Sequence, residues 1–336
     1  MNPISTRLTK LLGISTPIAL APMAKLSSTE VVSAITLAGG FGFLGAGADT
    51  SEQIVDQLSS LRSQFSLQQT DVIPVGVGFL GWVLDKTDLK EDPRIEKALS
   101  EKPKAVWFAF GNDLGKYVKM VKDYDSKRDH KTLIFVIVNS VDDATRAANE
   151  WKVDGLIVQG AKAPSLSILL SAVDEVIAED GPVLVAAGGI ANGGQIASLL
   201  TLGASGVALG TRFLLSKECK FMPEKKEILV AANLHSTTRS IAFDEVTRST
   251  EWPKDVDGRA IANRIIDDVE GGLGLEERLK RFDEGNERKE KDRLVVWAGA
   301  GAGLTNEIKS VSDIVAELHG ETVKALRRAT TLVPST

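Results

Sequence analysis

Residues 183–213 read VLVAAGGIANGGQIASLLTLGASGVALGTRF. The run VLVAAGGI (183–190) is apolar at every position before its glycines, which suits a strand buried on both faces. Asn192-Gly193-Gly194 then opens an amphipathic stretch near 192–202, and a second apolar run, GVALGTRF (206–213), follows. Strand, helix and strand in so short a span make one βαβ unit, whose two strands lie parallel.

The same alternation runs upstream. PIALAPM (17–23), FGFLGAG (41–47), VIPVGVGFL (72–80), AVWFAFG (105–111), TLIFVIVN (132–139) and DGLIVQG (154–160) read as six further strands. Helices are expected near 28–38, 50–64, 93–100, 113–125, 141–150, 165–179, 192–202 and 216–233. Eight strands, each followed by a helix, predict an α/β fold of the closed (β/α)₈ TIM-barrel type rather than an open doubly wound sheet. After residue 233 the alternation lapses. A long loop is expected over 234–258, a charged and solvated helical stretch over 259–290, an apolar strip LVVWAGAGAG at 294–303, and two terminal helices. No Pro/Ser-rich linker intervenes, so 1–336 is expected to form a single domain, with the barrel over about 15–233 and a helical extension over about 234–336.

Composition narrows the function classes. The chain of 336 residues carries 45 acids against 40 bases, a formal charge of −5, which argues against broad nucleic-acid or anionic-membrane binding. Its one cysteine, Cys219, cannot form an internal disulfide and reads as an incidental thiol. No Cys/His spacing suggests a metal site, and no apolar run reaches signal-peptide or membrane-spanning length, so a cytoplasmic protein is expected. Oligomeric state is not legible.

In a TIM barrel, chemistry sits at the C-terminal ends of the strands, and phosphate is held after strands seven and eight. The chain places glycine at both points. Gly188-Gly189 ends the seventh run, and Gly210-Thr211 interrupts the eighth. Without side chains, backbone N–H groups can approach phosphate oxygens, and a following helix N-terminus adds partial positive charge. The Thr211 hydroxyl offers another donor. Two other glycine clusters compete. Gly76-Val77-Gly78-Phe79-Leu80-Gly81 matches the dinucleotide fingerprint, but no amphipathic helix is expected directly after it to face a pyrophosphate. The 299–303 segment, Gly-Ala-Gly-Ala-Gly, lies outside the barrel repeat and reads as a tight turn against the barrel mouth.

The blocks PIALAPMAKLSSTEVVSAITLAGGFGFLGAG, DGLIVQG, VAAGGIANGGQIASLLTLGASGVALGTRF and VVWAGAGAGLTNEI, in this order from about residue 4 to 330, resemble the FMN-dependent nitronate monooxygenases, also called 2-nitropropane dioxygenases. The resemblance implies FMN as cofactor. It implies that Ala21, Pro22 and Met23 line the flavin ring, that Gln159 and Gly160 contact the cofactor, and that Gly188, Gly189, Gly210 and Thr211 hold its phosphate.

The resemblance breaks after Gln159-Gly160. Family members continue with an acid and then Ala-Gly-Gly-His, the histidine standing over the flavin, whereas this chain has Lys162 for the acid and Pro164-Ser165-Leu166 for Gly-Gly-His. Leucine cannot abstract a proton. The resemblance therefore implies a substrate supplied already as an anion, with nitronate as the default small molecule and molecular oxygen as electron acceptor. Candidates to replace the histidine are Lys162, as an anion-holding charge or a base of lowered pKa, and His235, in a loop that can fold over the mouth. His130 and His319 read as unconnected with the site. Two alternatives stay open: a flavin-dependent isomerisation, dehydration or enoyl reduction in specialised metabolism, and a non-catalytic flavin-binding protein.

Overall fold

The computed structural model describes residues 2–160, 166–253 and 256–332. Within them, β1 (Ile18–Leu20), β2 (Phe41–Gly45), β3 (Ile73–Leu80), β4 (Pro103–Ala109), β5 (Leu133–Val138), β6 (Gly155–Gln159), β7 (Val183–Ala187) and β8 (Gly206–Leu209) form a closed barrel in sequential order. β8 pairs in parallel with β1, setting Ile18 against Val207 and Leu20 against Leu209, which closes the cylinder. All eight expected strands are present. Gly47, Gly111, Gly160, Gly188 and Gly210 lie just beyond the last residues of their strands, at the rim.

The barrel is wrapped by α1 (Arg7–Leu12), α2 (Thr29–Leu37), α3 (Ser51–Gln64), α4 (Gly81–Lys86), α5 (Arg94–Ser100), α6 (Gly115–Asp125), α7 (Val141–Asn149), α8 (Leu166–Val176), α9 (Gly193–Thr201), α10 (Thr211–Leu214) and α11 (Pro223–Val230). Two departures from the sequence reading bear on the site. The strand expected to reach Phe213 stops at Leu209, and Thr211 already begins α10, so a helix starts at the rim itself. The helix expected over 216–233 is accordingly reduced to α11. A six-residue helix, α4, does begin at Gly81, but Gly76 and Gly78 before it serve packing rather than a pyrophosphate.

That packing defines the barrel floor. A Cβ on Gly76 would lie 2.2 Å from the Phe43 ring, and one on Gly155 would lie 2.2 Å from the Phe135 ring. Phe43 in turn meets Trp107 and Phe135 edge to face, with centroids 5.2 and 5.7 Å apart. Below them α1 brings Leu8 against Gly206, where a Cβ would come within 2.3 Å of Leu8 Cδ2. Large rings over glycines on neighbouring strands fill the cylinder as TIM-barrel layers do. The sequence reading did not anticipate α1, whose ends are set by a Thr6/Thr9 capping box and by Gly13 at φ +66°.

The extension departs from the expectation in both directions. Residues 234–258 hold a strand, β9 (Thr237–Arg239), and α12 (Ile241–Val246) rather than a long loop. The stretch 259–290 begins with β10 (Arg259–Ile261), antiparallel to β9, before α13 (Arg264–Glu270) and α14 (Leu275–Glu287). One terminal helix is present, α15 (Val311–Thr330), where two were expected. The strip from 294 explains how this region attaches. Leu294, Val296 and Ala298 face the barrel's core, while Val295 joins Ala242, Phe243, Val246, Ala260 and Ile265 in a second small core. A period of two with both faces apolar lets one extended segment serve two cores. Among the described residues, no helix is long and apolar enough to cross a membrane.

Candidate active site

One layer above the aromatic floor, the inward positions shrink. Ala21, Gly45, Gly78, Ala109, Ala187 and Ala208 leave a cavity of about 280 Å³ at the C-terminal mouth. Its far wall is apolar, with Leu80, Trp107, Phe110 and Ile137; its near wall is backbone from the β7 and β8 turns. Phe110 is held at φ +55°, a costly conformation for a side-chain-bearing residue, and its carbonyl accepts the Trp82 N–H at 2.9 Å.

The near wall is built to receive an anion. Gly188 and Gly189 adopt φ +100° and +72°, which residues with side chains rarely take. The N–H groups of Gly188, Gly189 and Gly210 find no acceptor among the described residues. The Thr211 hydroxyl accepts the Gly299 N–H at 2.9 Å, leaving its own proton free to donate. The 299–301 segment forms a third side of the cradle. A Cβ on Gly301 would lie 2.4 Å from the Gly189 carbonyl oxygen, and one on Gly299 would lie 3.3 Å from the Gly189 nitrogen. The turn expected at the barrel mouth thus belongs to the cavity wall. Its signal was legible as Gly-Ala-Gly-Ala-Gly, but its partner was not.

The helix contribution differs from the expectation. α9 spends its N-terminal donors internally: Gly193 N–H on Glu321 Oε2 at 2.8 Å and Gln195 N–H on Asn192 Oδ1 at 2.9 Å. Gln195 reaches back to accept from Ala191 N–H and to donate to the Gly189 carbonyl at 3.3 Å, so this capping box steadies the glycine turn instead of facing an anion. It is α10, which has no capping side chain, that starts at the cavity.

Of the residues singled out in the sequence, Ala21, Pro22, Gln159, Gly188, Gly189, Gly210 and Thr211 all line this cavity. Ser27 anchors the first of them by donating to the Ala21 carbonyl at 2.8 Å while accepting the Met23 N–H at 2.9 Å. Met23 stands just behind the lining: its carbonyl packs where Gly45 lacks a side chain, and its Sδ lies 3.3 Å from the Cβ position of Gly210. Gly160, exposed just after β6, follows the lining residue Gln159 without being one of the lining residues itself. Lys162, with Pro164 and Ser165, lies outside the described residues. Leu166 opens α8, packs half-buried against the core and is not among the cavity's lining residues. His235 is exposed and does not line the cavity either. Leu80, Trp107, Phe110, Ile137, Gly299, Gly301 and Thr305 were not singled out as ligand-facing. Trp107 and Ile137 carry a strand-period signal that reads equally as core.

Charge is nearly absent from the wall. Arg212 is the one ionisable residue among its described members, and its guanidinium is turned away, donating to the Glu307 carbonyl at 3.2 Å with Glu317 3.7 Å off. Burial lowers its pKa, and Glu317 and Glu307 work against that shift. The other titratable candidates lie elsewhere. His130 touches the Pro103 carbonyl at 3.1 Å and His319 the Asn2 carbonyl at 3.0 Å, and burial lowers both. Cys219 is buried and its thiol pKa is raised by that burial, which suits an inert thiol. Among the described residues no cluster of His, Cys, Asp or Glu is placed to hold a metal.

A family model, "Nitronate monooxygenase", matches residues 80–321. A nitronate monooxygenase of Neurospora crassa is 28% identical across 92% of this chain and 89% of its own length, and one of Metarhizium robertsii is 28% identical across 90% and 89%. Among solved structures, FabK of Thermotoga maritima superposes with a TM-score of 0.79 at 24% identity, covering 98% of this chain and all of that one, 100%. A nitroalkane oxidase of Streptomyces ansochromogenes gives 0.73 at 23%, covering 97% and 99%. These structural likenesses agree with the barrel described above.

Proposed function

The chain belongs to the nitronate monooxygenase family, and from that premise we propose that it is an FMN-dependent oxidoreductase that oxidises a small carbanion-forming organic substrate, a nitronate by default, with dioxygen as final acceptor. One observation carries this reading. A cavity with three unengaged backbone N–H groups on its β7 and β8 side has no carboxylate, imidazole or amine among its described lining residues. Such a wall can receive an anion, and its described residues offer no group to pull a proton from carbon.

The residues present fit the cofactor. Gly188, Gly189, Gly210 and Thr211 would hold its phosphate, since the missing Cβ atoms of the three glycines leave the cradle open and the Thr211 hydroxyl proton is free to donate. Ala21, Pro22 and Gln159 would lie along its ring. When bound, FMN supplies the two-electron acceptor that no side chain of the wall can provide. The chain's own part is to orient a substrate that arrives as the anion, to keep it dry between Leu80, Phe110 and Ile137, and to leave its charge uncontested by nearby carboxylates. A second reading, a flavin-dependent isomerisation, dehydration or enoyl reduction, keeps the same cofactor site and changes the substrate; a Mycobacterium tuberculosis relative, an indene-carboxyl-CoA dehydrogenase, 25% identical over 80% of this chain and 69% of its own length, carries a name with a substrate other than a nitronate.

The test is anaerobic. Purified protein loaded with FMN is mixed with propyl-2-nitronate or with neutral 2-nitropropane, and the flavin absorbance is followed. Bleaching by the nitronate alone is the expected result. Bleaching by neither would remove nitronate oxidation and leave the second reading.

A further inference from the structure

Trp107 is 3% exposed, is among the residues that line the cavity, and its Nε1–H has no acceptor among the described residues. A buried donor left unpaired is costly, so interiors avoid it unless something brought in from outside completes the bond. The rest of the ring is well accounted for. It stands edge-on to Phe43 at 89°, and its strand neighbours in register are Gly78 and Phe135. Only the indole nitrogen is unexplained.

Topology says what could reach it. In a closed eight-stranded barrel ordered β1 to β8, β4 stands diametrically across from β8. A ligand whose anion rests on Gly188, Gly189 and Gly210 must span the mouth to meet a group on β4. The ligand class is therefore elongated, with a phosphate at one end and a hydrogen-bond-accepting ring at the other.

We propose that Trp107 is a cofactor-binding residue whose indole N–H donates to an acceptor atom on the ring system of the bound flavin, completing a hydrogen bond that the protein alone leaves open. This rests on the FMN reading above and adds to it a second anchor, on the wall opposite the phosphate. It also gives the unpaired donor a reason: the protein carries the cost when empty and recovers it as selectivity for a ligand with an acceptor at that reach.

The experiment uses the whole chain. Its five tryptophans give five indole cross-peaks in a proton–nitrogen correlation spectrum. Trp107→Phe assigns the relevant peak; if that variant is insoluble, Trp82→Phe, Trp151→Phe, Trp252→Phe and Trp297→Phe assign it by elimination. FMN is titrated into flavin-free protein, with flavin fluorescence reporting uptake independently. The expected result is that the Trp107 peak moves to a hydrogen-bonded position in step with FMN uptake, and that Trp107→Phe weakens FMN binding by roughly 3- to 30-fold. Uptake of FMN with an unmoved Trp107 peak would overturn the proposal and leave the FMN reading intact. A peak that moves only when propyl-2-nitronate is added to the loaded protein would overturn it in favour of a substrate contact. Failure of the wild-type chain to take up FMN would remove both readings together.

Discussion

The floor and the rim of this barrel are built from the same strands one layer apart, and both depend on glycine, with opposite results. At the floor, Gly76, Gly155 and Gly206 make room for the chain's own Phe43, Phe135 and Leu8, so the missing side chains are replaced by rings and branches from neighbours. At the rim, Gly188, Gly189 and Gly210 have no such occupant; the atoms nearest their Cβ positions are 3.3 Å or more away. A glycine whose vacant space is filled by the protein contributes to packing, and one whose space stays open contributes a binding surface. The difference cannot be read from the residue type.

The comparison can be broken most sharply at the rim. Gly189→Asp forces a side chain into φ +72° and places a carboxylate beside the anion cradle. We expect FMN affinity to fall by about 100-fold or more, near 2.7 kcal/mol, with the barrel still folded; flavin content equal to the wild type after purification would refute the cradle. The matching change at the floor is Gly155→Ala. Its methyl would collide with Phe135, so the expected effect is a loss of about 1–3 kcal/mol of unfolding free energy, measured by urea denaturation. The flavin affinity of the folded fraction should be unchanged. Should Gly155→Ala lose flavin as readily as stability, the two layers are not independent.

The smallest expected effect lies outside both layers, at His319. Burial lowers its folded pKa below the ordinary imidazole value. The unfolded chain therefore binds the proton more readily, and the stability this residue contributes is full above about pH 6.5 and lost as the pH falls through the folded value. His319→Gln can keep a donor toward the Asn2 carbonyl while removing the titration. Its urea midpoint should drop less than the wild type's between about pH 7.5 and 5.5, with the lowered His130 accounting for part of the slope that remains. An identical drop in both proteins would show that His319 titrates as it would in water.

Much of the architecture was open to reading in one dimension. The eight β-branched runs, their glycine-terminated ends and the helical spacings between them are local features, and a buried parallel strand announces itself by being apolar throughout. The positions of Gly188-Gly189 and Gly210-Thr211 followed from strand count alone. The extension was harder. Residues 294–298 serve two cores at once, and α12, β9 and β10 hold together only through partners distant in the chain, so their charged and polar stretches resemble loops and solvated helices. Local propensity is a weak guide where tertiary contacts decide.

What the sequence by itself determined is the barrel and the two glycine turns at its rim, because these depend on residue identity and on spacing along the chain. What only the tertiary structure decided is which neighbours fill which empty spaces. The 299–301 segment meets Gly189 from more than a hundred residues away, Gln195 steadies the same turn, α9 spends its donors on Asn192 and Glu321, and Trp107, across the mouth, keeps an N–H unpaired among the described residues. Each is a matter of distance through space, which the order of residues constrains only once the cylinder has closed.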